Sequence, residues 1–214
     1  MRRADGWGYN RATASDADTT SFALRLVGGD ASVLDRYVDD DGRAHTFVGT
    51  HFGSWAWAHA DVTATVGIAL ADAGEDATAL RRAALRDIGA WNSFWWTTDA
   101  YAVARTLELL HVTGDIPPAV TVAARRWLAA ARPAATAFEA ALLLDVATLT
   151  GASADVRLGA LHAFRCDDGG WPPSAVLLTP SQVDGTPGAP HADGRRLLTS
   201  ATAVAALRRY GGSA

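Results

Sequence analysis

Residues 61–70 read DVTATVGIAL, an aspartate followed by nine residues that are all small, apolar or threonine. A run this apolar on every side predicts a helix that is buried all round. Four similar segments occur along the chain: DTTSFALRLV from Asp18, DAYAVARTLELL from Asp99, FEAALLLDVATL from Phe138 and TSATAVAALRRY from Thr199. The first four of the five begin about 40 residues apart, a spacing typical of a repeated helical hairpin.

More charged, amphipathic stretches lie between these segments. They are ASVLDRYV from Ala31, EDATALRRAALRDIGAW from Glu75, PPAVTVAARRWLAAA from Pro117 and SADVRLGALHAF from Ser153. Apolar helices are buried and amphipathic helices face solvent, so the alternation predicts an inner ring wrapped by an outer ring. We therefore expect one all-α domain over residues 1–214, an α/α toroid of about nine helices in hairpin repeats. The alternative is a plain helical solenoid with no central cavity.

Three connections are too long to be simple turns. They cover residues 39–58, 91–98 and 167–196, and all three are rich in Trp, Gly, His or Pro. Long loops in a compact domain are usually functional. We expect these three, or another chain, to complete the cavity of the toroid.

Composition excludes several classes of function. All 19 basic residues are Arg, so neither a Schiff-base lysine nor a phosphate-loop lysine is present. A net charge of -4 without a basic stripe argues against nucleic-acid binding. We expect a cytoplasmic protein with at most peripheral membrane contact, since no signal peptide or long apolar span is visible. Cys166 is the single cysteine, which rules out an intrachain disulfide.

Two neighbouring motifs near the start of the chain carry the candidate chemistry. DGWGY at residues 5–9 is followed by DADTT at residues 16–20, which opens the first apolar segment. Two carboxylates at the mouth of a helix, beside aromatic rings, suit chemistry on an alkene: an acid delivers a proton and an electron-rich ring stabilises the cation. The alternative is helix capping, because Ser15 to Asp18 also fits an S-x-x-D helix start.

These motifs resemble those of the squalene-hopene cyclases and other class II terpene cyclases. DGWGYN (residues 5–10) and DDGGWPPS (167–174) resemble the tryptophan end of the QW repeat, and DADTT resembles the DxDD acid motif, which reads DxDT in several members. HADVTA (59–64) is similar to the inner-helix start that follows the acid motif, and FWW (94–96) to the aromatic loop that comes next. The chain is much shorter than the two-domain hopene cyclases, and Thr19 stands where their second acidic residue lies.

The resemblance implies acid-initiated cyclisation or isomerisation of an apolar polyene or prenylated substrate. Asp18 would be the proton donor, Asp16 would share its proton, and His51 would orient it, although His51 also reads as an ordinary polar loop residue. The aromatic residues expected to line the substrate cavity are Trp7, Tyr9, Phe52, Trp55, Trp57, Phe94, Trp95, Trp96 and Tyr101. The competing interpretation of all these aromatic residues is helix packing, and it is the favoured one for Trp7.

The expected partner is an apolar, terpenoid-like small molecule, with a homodimer or a second α/α subunit as a further partner. We expect no cofactor and no metal: Cys166, Asp167, Asp168 and His191 resemble the zinc ligands of protein prenyltransferases, but residue 164 is Phe where that site requires Asp. Two other functions remain open. One is a non-catalytic toroid that binds a prenyl chain, a lipid or a protein, and the other is a cyclase repurposed for a non-terpenoid natural product.

Overall fold

The computed structural model describes residues 2–3 and 5–212, and helices dominate this part of the chain. Its α-helices are α1 (Ala17–Val27), α2 (Ala60–Asp72), α3 (Thr78–Arg86), α4 (Ala100–Val112), α5 (Pro118–Ala130), α6 (Ala137–Thr150), α7 (Asp155–Ala163) and α8 (Leu197–Gly212). Two 3-10 helices cover Ala31–Tyr37 and Thr50–Ala56. The strands are short: β1 (Arg2–Arg3) pairs with β2 (Gly6–Trp7), and β3 (Val176–Thr179) pairs with β4 (Ala189–Ala192), both antiparallel.

The helices form two layers. In the inner layer α1 packs on α2, α2 on α4, α4 on α6 and α6 on α8. In the outer layer α3 packs on α2 and α4, while α5 and α7 pack on α6. The five inner helices correspond to the five apolar segments of the sequence, which confirms the predicted all-α, toroid-like fold.

The inner helices owe their position to their composition. Every residue of α2 from Asp61 to Leu70 is buried, and α6 is buried from Phe138 to Ala147 except at Glu139. By contrast, the outer helix α3 buries only Leu80 and Ala83. A helix without a polar face is stabilised most by the hydrophobic effect when other helices surround it. Its composition therefore favours a place in the inner layer.

Two segments differ from what the sequence indicated. The amphipathic stretch after α1 forms a 3-10 helix rather than an α-helix, and it still packs on α1 and α2. The long connection over residues 167–196 contains the β3–β4 hairpin. Backbone hydrogen bonds attach this hairpin to the other long loops: the N–H of Leu178 donates to Trp95 O (2.8 Å), and the N–H of Ser54 donates to Gln182 O (2.7 Å).

A network of ion pairs joins the inner helices near their C-terminal ends. Arg25 of α1 and Arg209 of α8 both contact Oε1 of Glu108 on α4, at 3.4 and 3.3 Å. Asp145 of α6 contacts Arg209 at 2.5 Å and Arg105 of α4 at 3.1 Å. Glu108 thus connects the first inner helix to the last, and the network closes this end of the ring. None of the helices in the described ranges combines the length and hydropathy needed to cross a bilayer.

Candidate active site

A cavity of about 530 Å³ lies beside the N-terminal ends of the inner helices. The helices α1, α4 and α8 contribute lining residues, and so does each of the three long connections. The connections supply Thr46, Phe47, Trp55, Trp95, Trp96, Leu177, Leu178, Thr179 and His191. Because the β3–β4 hairpin is hydrogen-bonded to the neighbouring loops, these segments form one continuous cover over the cavity.

Asp16 is the N-cap of α1. Its Oδ1 accepts a hydrogen bond from the backbone N–H of Thr19 (2.7 Å), and its Oδ2 accepts one from the N–H of Tyr9 (3.1 Å). Burial raises the pKa of this carboxyl, and the hydrogen bonds from Thr19 and Tyr9 oppose the rise without cancelling it. Helix capping is therefore the role of Asp16. Its hydrogen bond from the N–H of Tyr9 also attaches the DGWGYN segment (residues 5–10) to α1.

Asp18 has a different environment, although it lies only two residues further along. It is in the first turn of α1 and lines the cavity. Within the described residues, its Oδ1 is buried without a hydrogen-bond partner. Burial raises the pKa of Asp18 well above its usual value, and the charges of Asp61 and Asp16 raise it further. A carboxyl in these surroundings keeps its proton where an ordinary aspartate would lose it.

Asp61, in the first turn of α2, is the nearby carboxyl that acts most strongly on Asp18. Its Oδ1 accepts from the N–H of Val62 (3.0 Å), and its Oδ2 accepts from the N–H of Phe94 (3.1 Å) and, more weakly, of Trp95 (3.5 Å). Burial raises the pKa of Asp61 to about 6, against these hydrogen bonds. Three backbone donors favour the ionised form, so within the coupled pair the negative charge belongs on Asp61 and the proton on Asp18.

Tyr101 completes the polar group around the acid. Its ring is buried at the start of α4, and its hydroxyl is buried without a partner in the described part of the chain. Burial raises the pKa of this hydroxyl. Tyr101 therefore stays neutral and carries an uncommitted O–H donor at the cavity wall.

Aromatic rings form much of the remaining wall. The rings of Trp55 and Trp95 lie 5.7 Å apart, and those of Trp96 and Tyr101 lie 4.8 Å apart. The indole N–H of Trp95 donates to Oγ1 of Thr46 (2.8 Å), which fixes the orientation of that ring. Aromatic faces attract a cation electrostatically and are well suited to stabilise a positive charge that develops close to them.

The structure brings most of the predicted site residues to this cavity. Those that line it are Tyr9, Asp16, Asp18, Trp55, Trp95, Trp96 and Tyr101. The adjacent Trp95 and Trp96 both reach the wall, since their rings pack against different neighbours: Trp95 against Trp55, and Trp96 against Tyr101 and Phe138.

Five other predicted residues lie outside the lining. His51 is exposed and its ring contacts Phe52 at 4.1 Å, while Phe52 itself stacks on the lining residue Phe47 at 4.5 Å. Trp57 is half exposed, and Trp7 is partly buried against the core. The described contacts of His51 include no hydrogen bond to Asp16 or Asp18, so its role as orienting residue remains a prediction.

Phe94, the last of the five, lines a second cavity of about 400 Å³ on the other side of the aromatic loop. Its ring stacks on His59 at 3.6 Å. Burial lowers the pKa of His59 to about 4, and its Nε2 lies 3.2 Å from Ser54 O. His59 is therefore neutral at physiological pH and has a structural role at the start of α2.

Sequence reasoning missed the role of Asp61 and several residues that line the cavity. Asp61 was recognised as a helix start but not as the neighbour of the acid, and Phe22, Thr46, Phe47, Leu177, Leu178, His191 and Leu198 were not assigned to the cavity at all. One signal was available for Asp61. A carboxylate followed directly by an apolar run is buried and must be satisfied by backbone donors or by a second carboxyl.

The described residues contain no group of three or more His, Cys, Asp or Glu side chains arranged to hold a metal ion. The residues that resemble a zinc set serve other purposes. Asp168 forms an ion pair with Arg196 (2.8 Å), and their hydrogen bonding lowers the pKa of Asp168 to about 2. His191 lies on β4 and lines the cavity.

Comparisons with known proteins agree with this architecture. No protein-family model and no curated protein matches the sequence. Among solved structures, the chain is similar to ligand-free type II terpene cyclase MstE from Scytonema, with a TM-score of 0.84 and 22% identity over 100% of this chain and 78% of that one.

Two further structures are similar. A variant of MstE in complex with its substrate, geranylgeranyl dihydroxybenzoate, has a TM-score of 0.78 at 21% identity, again over 100% of this chain and 78% of that chain. A protein from Actinoplanes has a TM-score of 0.78 at 25% identity, over 98% of this chain and 80% of that one. The chain thus has a terpene-cyclase-like fold; the comparisons support this broader class rather than the squalene-hopene cyclases in particular.

Proposed function

We propose that this chain catalyses the acid-initiated cyclisation or isomerisation of an apolar polyene or a prenylated compound, with Asp18 as the proton donor. The observation that carries the proposal is the state of the Asp18 carboxyl. It lines an aromatic cavity, its Oδ1 is buried without a hydrogen bond from the described residues, and its pKa is raised well above the usual value. In α1 the capping carboxylate is Asp16, and both of its oxygens accept backbone hydrogen bonds, which Oδ1 of Asp18 does not.

The reaction takes up one proton at its first step and releases one proton at its last. The O–H bond of Asp18 breaks while the π electrons of a substrate alkene form a new C–H bond, which leaves the positive charge on the more substituted carbon. A second alkene of the same chain attacks that carbon and closes a ring. Loss of a proton from a neighbouring carbon then restores a double bond, so the product is an isomer of the substrate.

Three features of the site support this sequence of steps. Asp61 accepts backbone hydrogen bonds and holds the negative charge of the pair, which keeps the proton on Asp18. The rings of Trp55, Trp95 and Trp96 surround the place where the cation develops. The substrate named for MstE, geranylgeranyl dihydroxybenzoate, is itself a prenylated compound, and it suggests the chemical class to test first.

The proposal is tested by incubating the protein with prenylated phenols in D₂O. The expected product is an isomer of the substrate in which one carbon-bound hydrogen is replaced by deuterium, because in D₂O Asp18 transfers a deuteron to carbon and the reaction ends with loss of a proton from a neighbouring carbon. Asp18→Asn should bind the same compound and return it unchanged. If the wild-type protein binds prenylated compounds and never converts them, the non-catalytic toroid is the correct reading and the proposed acid chemistry is wrong.

A further inference from the structure

The mouth of the cavity is formed by polar side chains from two segments. Tyr9 and Asn10 belong to the loop before α1, and Thr179 and His191 belong to the β3–β4 hairpin. All four are exposed, Tyr9 by 67%. We call these four residues the rim. Asp18 and the tryptophan rings line the interior, so the cavity has a polar opening and an apolar, acid-bearing wall.

The hairpin register explains why His191 and Thr179 reach the rim together. Leu177 pairs directly with His191, and Thr179 follows Leu177 by two residues in β3. Side chains alternate along a strand and directly paired residues share a face, so these three side chains occupy one face of the hairpin. All three line the cavity. The hairpin therefore supplies both an apolar wall residue and two hydrogen-bonding groups.

The rim groups have free hydrogen-bonding capacity. Oδ1 of Asn10 accepts from the N–H of Ala12 (2.8 Å) and of Thr13 (3.0 Å), which leaves its amide N–H donors available. Within the described residues, no hydrogen bond engages the side chains of Tyr9, Thr179 or His191. A hydroxyl, an imidazole and an amide can together donate to and accept from the same ligand group.

The charges around the cavity restrict what that group can be. The chain has no Lys, and no Arg is among the residues that line the cavity, whereas Asp16 and Asp18 both line it. Sites for phosphate groups are typically built from Arg, Lys or both, because the anion must be neutralised as well as hydrogen-bonded. A diphosphate at this rim would meet uncharged hydrogen-bonding groups and no cationic side chain of the lining.

We propose that the substrate carries an uncharged, hydroxyl-bearing head group, such as a phenol, hydroquinone or alcohol, and that the rim selects it. Asn10, Thr179 and His191 hold the hydroxyls, and the hydrocarbon chain extends inward to Asp18. This inference rests on the proposed function and specifies its substrate: a prenylated hydroxy compound and not a prenyl diphosphate.

Equilibrium binding tests the head group separately from catalysis. The Asp18→Asn variant is titrated with geranylgeranyl hydroquinone, its dimethyl ether and geranylgeranyl diphosphate, and quenching of tryptophan fluorescence reports binding, since Trp55, Trp95 and Trp96 line the cavity. The hydroquinone should bind about tenfold more tightly than the ether, as expected from the loss of one or two hydrogen bonds. The diphosphate should bind more weakly than the hydroquinone.

Rim variants in the same background identify the residues responsible. The double variant His191→Leu/Thr179→Val should bind the hydroquinone only as tightly as it binds the ether. The conservative double variant His191→Asn/Thr179→Ser should keep most of the preference for the hydroquinone over the ether. Val183→Ser is the matched control, because Val183 is 89% exposed in the loop of the same hairpin and does not line the cavity. It should bind all three ligands as the parent does.

The outcomes separate the two proposals. Three results would overturn the rim inference and leave the acid chemistry standing. They are equal binding of the hydroquinone and its ether, tighter binding of the diphosphate than of the hydroquinone, and an unchanged preference for the hydroquinone over the ether in the His191→Leu/Thr179→Val variant. Failure of every prenyl ligand to bind overturns the proposed function as well.

Discussion

Asp61 is the carboxyl whose charge most raises the pKa of Asp18, although the two residues begin different inner helices. The backbone N–H groups of Val62, Phe94 and Trp95 stabilise the Asp61 carboxylate, whereas Oδ1 of Asp18 has no such donor among the described residues. The aromatic loop that carries Phe94 and Trp95 therefore contributes to the acid indirectly: it holds a negative charge in place, and that charge keeps the neighbouring proton bound.

Asp61→Asn is expected to move the alkaline limb of the pH–rate profile to lower pH. The reaction needs protonated Asp18, so activity falls as the pH rises through the pKa of that carboxyl. Asparagine removes the negative charge that raises this pKa, and the fall should begin earlier. The profile is measured with a prenylated phenol under kcat conditions.

Asp99→Asn is the control for this change. Asp99 also stands at the start of an inner helix and accepts a hydrogen bond from the N–H of Ser93 (3.0 Å), but it is exposed and does not line the cavity. It should leave the profile unchanged. An identical profile for Asp61→Asn and the wild-type protein would contradict the assigned coupling.

Asp18→Asn should reduce turnover by ~10²–10⁴-fold or more, which is typical for loss of a general acid. The melting temperature should change little, because the cap of α1 is Asp16 and the buried Oδ1 of Asp18 has no partner in the described residues. Turnover by product analysis and melting by circular dichroism are measured on the same preparation. Retained turnover in this variant would exclude Asp18 as the donor.

Asp16→Ala should destabilise the protein by about 1–2 kcal/mol, since an N-cap acceptor is lost together with the tie to Tyr9. Asp16→Asn keeps an acceptor for the N–H of Thr19 and should cost much less stability and only part of the activity. Chemical denaturation gives both free energies of unfolding. If Asp16→Asn were inactive while Asp18→Asn turned over, the roles of the two carboxyls would be reversed.

Glu108→Gln should destabilise the protein by about 3 kcal/mol at neutral pH, the magnitude found when one partner of a buried ion network is removed. Burial opposes ionisation of Glu108, but Arg105, Arg209 and Arg25 outweigh it and lower the pKa from 4.5. The stability that this glutamate contributes is therefore fully present above pH 4.5 and is lost as the pH falls through its folded-state pKa.

The pH dependence of unfolding distinguishes this network from an ordinary surface ion pair. The difference in unfolding free energy between wild type and Glu108→Gln should shrink as the pH falls below 4.5. Arg36→Gln, which breaks an exposed pair with Asp5, should change stability by less than about 1 kcal/mol. A constant difference across this pH range would mean that the charge of Glu108 does not stabilise the fold.

The inner helices could be predicted from sequence because their signal is local. The segments from Asp61 and Phe138 are apolar on nearly every side, and a helix of that kind must be surrounded whatever its neighbours are. The acid and much of the aromatic wall could also be predicted, because DADTT and the tryptophan loop lie beside helix starts.

The rest of the site depends on contacts between distant segments. Nothing in the spacing of the chain says that Asp61 lies close enough to raise the pKa of Asp18, since that proximity follows from the packing of α2 on α1. The hairpin strands VLLT and APHA are short and flank a loop rich in Pro and Gly, so no strand was assigned to this connection from the sequence. His191 lines the cavity through this pairing alone, and no local pattern marks it.

The β3–β4 hairpin also gives the protein an order of assembly. Asp18 lies in α1, and the strands that cover it follow α7 in the chain. Until the hairpin docks on the loops of Trp95 and Ser54, water has access to the cavity, and Asp18 lacks part of the burial that raises its pKa. The raised pKa of Asp18 is therefore acquired only when segments far apart in the chain have folded together.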